Sequence, residues 1–363
     1  MEPSTPYVLI DETIMDRNIR RMAQAASRLG CRLRPHVKTH KIPEIALRQI
    51  AAGACGVTVA KLGEAEAMAE GGIRDIFMAY PLVGADKIAR AVALSRSVGR
   101  LILAADSLEG ARALSVAAQE SGAPLEIRLE VDTGLRRTGV PYGEAAALAR
   151  TVAALPGLKL TGLYTFRSMI LDGKPTLDRE AAGRQEGQLL AALKRELEGL
   201  GQLETSGGST PTGLFTAAVS GVDEIRPGTY VFNDRMQEAN GSCAAQDCAL
   251  RVVYTVVSVP EPGRIVLDGG SKSISSDVAP GAPPYHLGGY GGCPEDSRLV
   301  LERLTEEHGM ASLLPGSRSY RVGDRVSIVP NHVCTTVNLY DTVYIQRADT
   351  LREVKVAARG RLA

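Results

Sequence analysis

Residues 34–41 read Arg34-Pro35-His36-Val37-Lys38-Thr39-His40-Lys41, which puts three fixed positive charges and two of the chain's five histidines within eight positions. A lysine crowded by other cations at the end of a strand has reason for a depressed pKa. The neutral amine is a nucleophile toward carbonyls. That is the chemistry of a lysine holding pyridoxal 5'-phosphate (PLP) as a Schiff base. A basic surface loop with solvated charges is the plain alternative for this segment taken alone.

Four further segments could carry chemistry. In Asp132-Thr133-Gly134-Leu135-Arg136-Arg137-Thr138-Gly139, an arginine can donate to a planar acceptor such as a phenolate oxygen or ring nitrogen, although a capping turn with surface arginines has the same look. In Ser206-Gly207-Gly208-Ser209-Thr210-Pro211-Thr212, two glycines let backbone N–H groups approach an oxyanion, and the hydroxyls add donors, which suits a phosphate. Arg226-Pro227-Gly228-Thr229-Tyr230 is a second candidate phosphate loop. Asn331-His332-Val333-Cys334 offers an imidazole and a thiolate at i and i+2, which share one side of an extended segment and suit one Zn2+. Two protein ligands are too few for a closed structural site and fit a catalytic metal with open positions. His286 and His308 read as surface or core histidines rather than ligands. Cys243 and Cys248 lack the second pair a zinc site needs.

The elements that must position these residues follow a regular spacing. Short runs rich in Val, Ile, Leu and Tyr fall at 32–38, 55–59, 75–79, 101–105, 124–131, 159–165, 202–206 and 223–226. Amphipathic stretches separate them, with stripes such as Ile45, Ala46, Ile50, Ala51 and Leu189, Leu190, Leu193, Leu197, Leu200. Eight such units in about 230 residues predict an α/β fold, a (β/α)8 TIM-type barrel. A doubly wound sheet is the competitor, but no Gly-x-Gly-x-x-Gly follows the first strand. Sites in such a barrel form at the C-terminal ends of its strands, and phosphates bind after the seventh and eighth. Lys38, Arg137 and both phosphate loops occupy such ends. A strand at Tyr7–Asp11 and a helix from Glu12 to Leu29, capped by Asp11, form an N-terminal extension. After about residue 240 the pattern turns to β runs at 251–259, 264–267, 325–329 and 342–346, with a long Pro- and Gly-rich loop over 278–294. The expected domains are therefore a barrel over 1–240, whose N-terminal extension packs on the second domain, and a C-terminal all-β domain over 241–363 that carries the metal pair.

Composition sets limits. The 363 residues carry a net charge of +1, which points to neither a nucleic acid nor a membrane surface as partner. No signal pattern opens the chain, and no apolar run reaches the length of a membrane span. Six scattered cysteines read as reduced thiols of a cytoplasmic enzyme.

Taken in order, these motifs resemble those of the D-serine dehydratase/D-threonine aldolase family of fold-type III PLP enzymes, related to alanine racemase. The resemblance runs from about residue 6 to about residue 345 and is carried most by the Lys38 segment and by Pro-Asn-His-x-Cys-x-Thr-Val-Asn-Leu. It implies a PLP- and metal-dependent lyase acting on small D-β-hydroxy amino acids, and a head-to-tail homodimer with its site at the subunit interface. It implies that Lys38, which precedes Thr-His, carries the cofactor and catalyses. It further assigns His36, Arg137, Tyr164, Ser209, Thr210, Gly228 and Thr229 to cofactor binding, and His332 and Cys334 to zinc or another divalent metal. Cys334 favours a D-serine dehydratase over a D-threonine aldolase, which tends to carry His-x-Asp. An amino-acid racemase and a non-enzymatic PLP-binding protein are further alternatives. Phe166-Arg167-Ser168 stands where relatives commonly place a histidine followed by a small residue.

Overall fold

The computed structural model describes residues 2–363. The chain falls into two compact units. One comprises residues 20–228 with 360–363; the other comprises residues up to 19 with 229–359. Residues 229–240, expected in the barrel domain from the sequence, belong to the unit of β strands, as does the N-terminal strand.

The first unit holds eight parallel strands: Arg32–Leu33, Val57–Val59, Asp75–Pro81, Arg100–Ala105, Leu125–Asp132, Leu158–Tyr164, Glu204–Gly207 and Glu224–Ile225. These are the first to eighth strands of the barrel. From the second to the eighth, each pairs with the next in chain order, and the eighth pairs with the first. The seam between first and second is joined by a parallel bridge from His36 to Thr58. Cys55 N–H donates to Leu33 O at 2.9 Å and Thr58 N–H to Pro35 O at 2.7 Å across the same seam. The eight runs of the sequence thus form the barrel in the expected order. The first strand is shorter than 32–38, because Pro35 has no N–H to give the ladder.

Helices return the chain between strands. Pro43 opens one, Ser107 Oγ caps another by accepting from Gly110 N–H at 3.2 Å, and Asp178 caps a third through Ala181 N–H at 2.9 Å. Asp11 Oδ1 accepts from Ile14 N–H at 2.9 Å and so caps Glu12–Arg28.

The barrel interior is tied by buried charge. Glu224 on the eighth strand receives Arg34 Nε at 2.7 Å, Arg128 Nη1 at 2.6 Å and Ser206 Oγ at 2.7 Å. Arg34, Arg128 and Glu224 are all wholly inaccessible to solvent. Arg34 also reaches Asp75 at 2.5 Å and Arg128 reaches Glu204 at 2.5 Å. Burial alone would raise the Glu224 pKa, but the two guanidiniums hold it well below the usual carboxylate value. Five strands are therefore linked through one carboxylate.

In the second unit, the long strand Leu250–Glu261 is central. It pairs antiparallel with Tyr7–Asp11, Arg264–Leu267 and Arg325–Pro330. Leu250, Val252, Tyr254 and Val256 lie buried along one face with the period of two that a half-buried strand requires. Tyr7–Asp11 also runs parallel to Thr342–Arg347. Leu299–Leu304, Gly309–Leu313 and Thr350–Lys355 are strands with no counterpart among the β runs expected from the sequence. The first and last of these end the strand path, where charged residues such as Arg303, Arg352 and Glu353 blur the alternation and protect an edge. Among the described residues, no helix is long and apolar enough to cross a membrane.

Two outcomes follow. Glu224→Ala leaves two guanidiniums buried without their shared partner, so urea unfolding should show a loss of about 3–5 kcal/mol; a change below about 1 kcal/mol would contradict the account. His40 is buried, and its Nδ1 accepts from Ile42 N–H at 3.0 Å while its Nε2 faces Gln49 Oε1 at 3.3 Å. Burial lowers its pKa to about 4, against the opposing bonds to Gln49 and Ile42. The unfolded imidazole takes its proton at about 6.5. Unfolding therefore takes up a proton between these values, and stability falls as pH drops from about 6.5 toward about 4. His40→Asn should give a shallower slope of unfolding free energy against pH over that window; an unchanged slope would contradict the assignment.

Candidate active site

Lys38 lies in the 3-10 turn Val37–Thr39 that follows the first strand. His36 caps the turn: its Nδ1 accepts from Lys38 N–H at 3.4 Å, so the ring proton sits on Nε2. Burial, and then the charges of Lys38, Arg226 and Arg137, hold the His36 pKa well below the ordinary imidazole value. The ring is thus neutral at physiological pH. His36 N–H donates to Pro227 O at 3.0 Å. Gly228 packs so closely there that a Cβ would stand 2.8 Å from His36 O and 2.9 Å from Thr39 Oγ1. Only glycine lets the loop after the eighth strand approach the lysine turn this way.

Phe166, in the loop after the sixth strand, joins two of the expected residues. Lys38 Nζ is 5.4 Å from its ring centre, and the Arg137 guanidinium is 5.0 Å from it. A cation at this range is drawn to the ring face. Arg137 extends from a loop that Asp132 shapes by accepting from Gly134 N–H at 2.8 Å and Arg136 N–H at 3.0 Å. Thr133 and Thr165 hydroxyls meet at 2.8 Å and hold the loops after the fifth and sixth strands together.

Tyr164 is buried at the end of the sixth strand. Its hydroxyl donates to Glu130 Oε2 at 2.9 Å, and its ring lies edge-on to Phe77 at 5.0 Å. Burial and the Glu130 charge push its pKa well above the ordinary value, so it remains a neutral phenol. Arg226 stands over this ring at 5.2 Å and donates to Ser206 Oγ and Thr165 O, both at 2.6 Å.

The loop after the seventh strand turns at Gly208, whose φ of +74° suits glycine; a Cβ there would meet Gly213 Cα at 2.8 Å. Ser209 Oγ lies 2.8 Å from Thr212 Oγ1, and Thr210 follows it in the same turn. Glu186 holds the turn from behind. This buried carboxylate accepts from Arg167 N–H and Gly208 N–H, each at 2.9 Å, and from Thr216 Oγ1 at 3.0 Å. Glu64 is buried beyond the lysine turn and accepts from Ala60 N–H at 2.5 Å; burial raises its pKa, while that bond and the charges of Lys41 and Lys38 oppose. Neither carboxylate belongs to a motif, and nothing local in the sequence tells either one from a surface acid on a helix.

In the second unit, His332 and Cys334 touch through their side chains. They do so by a route other than the extended segment expected from their spacing. His332 has extended backbone, but Val333–Val337 is a short helix whose first N–H, from Val333, donates to Asp234 Oδ2 at 3.1 Å. The carboxylate cap turns the chain before Cys334, which therefore meets His332 from the first turn of a helix. Burial raises the Asp234 pKa to about 6, with the His332 charge opposing. Thr229 Oγ1 lies 3.7 Å from Cys334 Sγ. His332 Nδ1 is 2.6 Å from Asp277 Oδ2. His286 and His308 bond locally, to Gly281 O at 2.9 Å and Thr305 Oγ1 at 3.3 Å. The thiols of Cys243 and Cys248 bond one another, and all six cysteines are free of disulfides. Among the described residues, no group of three or more His, Cys, Asp or Glu side chains is arranged to hold a metal.

Comparison with known proteins agrees with this architecture. Residues 10–236 match the family model described as alanine racemase, N-terminal domain, and residues 249–346 match a putative serine dehydratase domain. The chain is 35% identical to the D-threo-3-hydroxyaspartate dehydratase of Delftia sp. (strain HT23), over 92% of this chain and 91% of that one. It is 32% identical to a D-threonine aldolase of Arthrobacter sp., over 98% and 93%. A solved structure of a D-threo-3-hydroxyaspartate dehydratase mutant in the metal-free form superposes with a TM-score of 0.88 at 33% identity, over 97% of each chain. The chain thus belongs to the family that joins an alanine racemase-type barrel to a serine dehydratase domain, and is a PLP-dependent lyase of that family.

Proposed function

We propose that the protein is a PLP- and metal-dependent lyase that removes the β-hydroxyl of a D-β-hydroxy amino acid, with D-serine as the first substrate to test. The observation that carries this is the Lys38 turn, with its neutral imidazole, aromatic ring and arginine. These residues fit PLP: an amine to hold the aldehyde, cations for an anionic ligand, and a loop approach at Gly228 that a Cβ would block. Lys38, His36, Arg137, Tyr164, Ser209, Thr210, Gly228 and Thr229 would hold it. The bound cofactor supplies an electron sink for the pair left at Cα when its proton departs.

This chain's residues have the following parts. Lys38 Nζ takes the Cα proton as general base. Neutral His36 fixes the lysine turn through its Nδ1 without adding a second positive charge beside the amine. Tyr164, buried and un-ionised, keeps the base of the site dry and bonded to Glu130. His332 and Cys334 fit a divalent metal such as zinc, since an imidazole and a thiol already touch and water can complete the set. A metal there supplies Lewis acidity toward the leaving hydroxyl. Net loss of water, then hydrolysis, gives a keto acid and ammonia. Cytoplasmic placement and a homodimer with the site at the subunit interface are part of the same proposal.

Retro-aldol cleavage to glycine and an aldehyde is the second reading, supported by the 32% identity to a D-threonine aldolase. Products separate the two. Incubation with D-serine, D-threonine and D-threo-3-hydroxyaspartate should yield keto acid and ammonia from at least one. Glycine plus aldehyde in their place would overturn the dehydratase proposal. A chelator should lower turnover by about 10-fold or more, with recovery on adding Zn2+; undiminished turnover would contradict the metal's part.

A further inference from the structure

We propose that Asp277 is a positioning residue: its carboxylate fixes the tautomer and ring plane of His332, so that Nε2 is the nitrogen presented to the metal. The inference rests on the proposal that His332 and Cys334 hold a divalent metal. Asp277 comes from a loop that no motif marks, far from His332 in sequence.

The geometry is specific. His332 Nδ1 and Asp277 Oδ2 are 2.6 Å apart. A carboxylate only accepts, so Nδ1 carries the proton, and Nε2 is left as the ligating nitrogen. The other oxygen, Oδ1, accepts from Thr335 Oγ1 at 3.0 Å. The carboxylate is thus held at both ends and cannot swing with the ring. The backbone is braced on both sides as well. His332 N–H donates to Ser275 Oγ at 3.2 Å, and His332 O accepts from Thr336 Oγ1 at 2.9 Å. Ser275 N–H donates back to Thr336 Oγ1 at 3.1 Å. Asn331 Nδ2 donates to Val278 O at 3.2 Å, which pins the residue after Asp277. Residues 275–278 and 331–336 therefore form one cross-braced unit with the imidazole at its centre.

A ligating imidazole gains orientation and basicity when its other N–H donates to a carboxylate, and loss of that partner costs about 10–100-fold in metal affinity. The competing role for Asp277 is a third direct ligand. The two differ in what asparagine can do. Its side-chain oxygen can still accept from Nδ1–H, but it is a poor metal ligand.

The test titrates metal-free full-length protein with Co2+ and follows the thiolate-to-cobalt charge-transfer band and the visible d–d bands. Wild type should bind with a thiolate band that Cys334→Ala removes. Asp277→Ala should raise the Kd for Co2+ by about 10–100-fold with the thiolate band retained. Asp277→Asn should restore most of that loss. Thermal unfolding by circular dichroism shows whether each variant is folded; should Asp277→Ala lose its transition, Asp277→Asn and Thr335→Val carry the comparison. Wild-type affinity in Asp277→Ala would overturn the positioning role and leave the metal pair intact. Loss in Asp277→Asn equal to that in Asp277→Ala would overturn it in favour of direct ligation. No Co2+ binding by wild type would overturn the metal proposal itself.

Discussion

The carboxylate of Glu224, shared between Arg34 and Arg128 without access to water, is the constraint on which the barrel site depends. Buried charges must be paired, and here the pairing spans the first, fifth and eighth strands directly and the third and seventh through Asp75 and Glu204. A register slip of one residue would turn Arg34 or Glu224 to the opposite face of its strand and leave the other uncompensated. The register is therefore fixed, and with it everything carried just beyond the strand ends. Lys38 follows Arg34 by four residues, Arg226 follows Glu224 by two, and the loop bearing Arg137 begins five residues after Arg128.

Above this charge cluster, the site is arranged by polar groups that do no chemistry of their own. Glu186 holds the turns after the sixth and seventh strands through two backbone N–H groups. The paired threonines 133 and 165 hold the fifth and sixth. His36 is kept neutral by burial and by its cationic neighbours, and a neutral ring can accept the Lys38 N–H. In the second unit, Asp234 and Asp277 brace the His332 segment in the same manner, one through the backbone of a short helix and one through the imidazole. In both units a carboxylate outside any motif sets the geometry of a residue inside one.

Much of this was legible in the sequence. The eight β runs lie within a few residues of the barrel strands because parallel strands, buried on both faces, read as short continuous apolar runs. Asp11 as a cap and the helix after it were equally plain. What was hidden depends on contacts between residues distant in sequence. Nothing local marks Asp277, Glu186 or Glu64 as different from surface acids. The helical placement of Cys334 was hidden because the Asp234 cap that turns the chain comes from about a hundred residues away. The strands Leu299–Leu304 and Thr350–Lys355 escaped notice because edge strands carry charges that a half-buried strand lacks. Tyr164, expected beside the cofactor from the resemblance, commits its hydroxyl to Glu130, a pairing that only the barrel's closure brings about.

The central claim is the proposal that Lys38, and not Lys41 three residues on, is the amine that holds the cofactor. Reduction of the PLP-loaded protein with borohydride, followed by digestion and mass spectrometry, tests this directly, because reduction makes the lysine–cofactor bond permanent. The account predicts the pyridoxyl mass on Lys38 alone, and no adduct in Lys38→Ala. An adduct on Lys41 or any other lysine, or one that survives in Lys38→Ala, would contradict it.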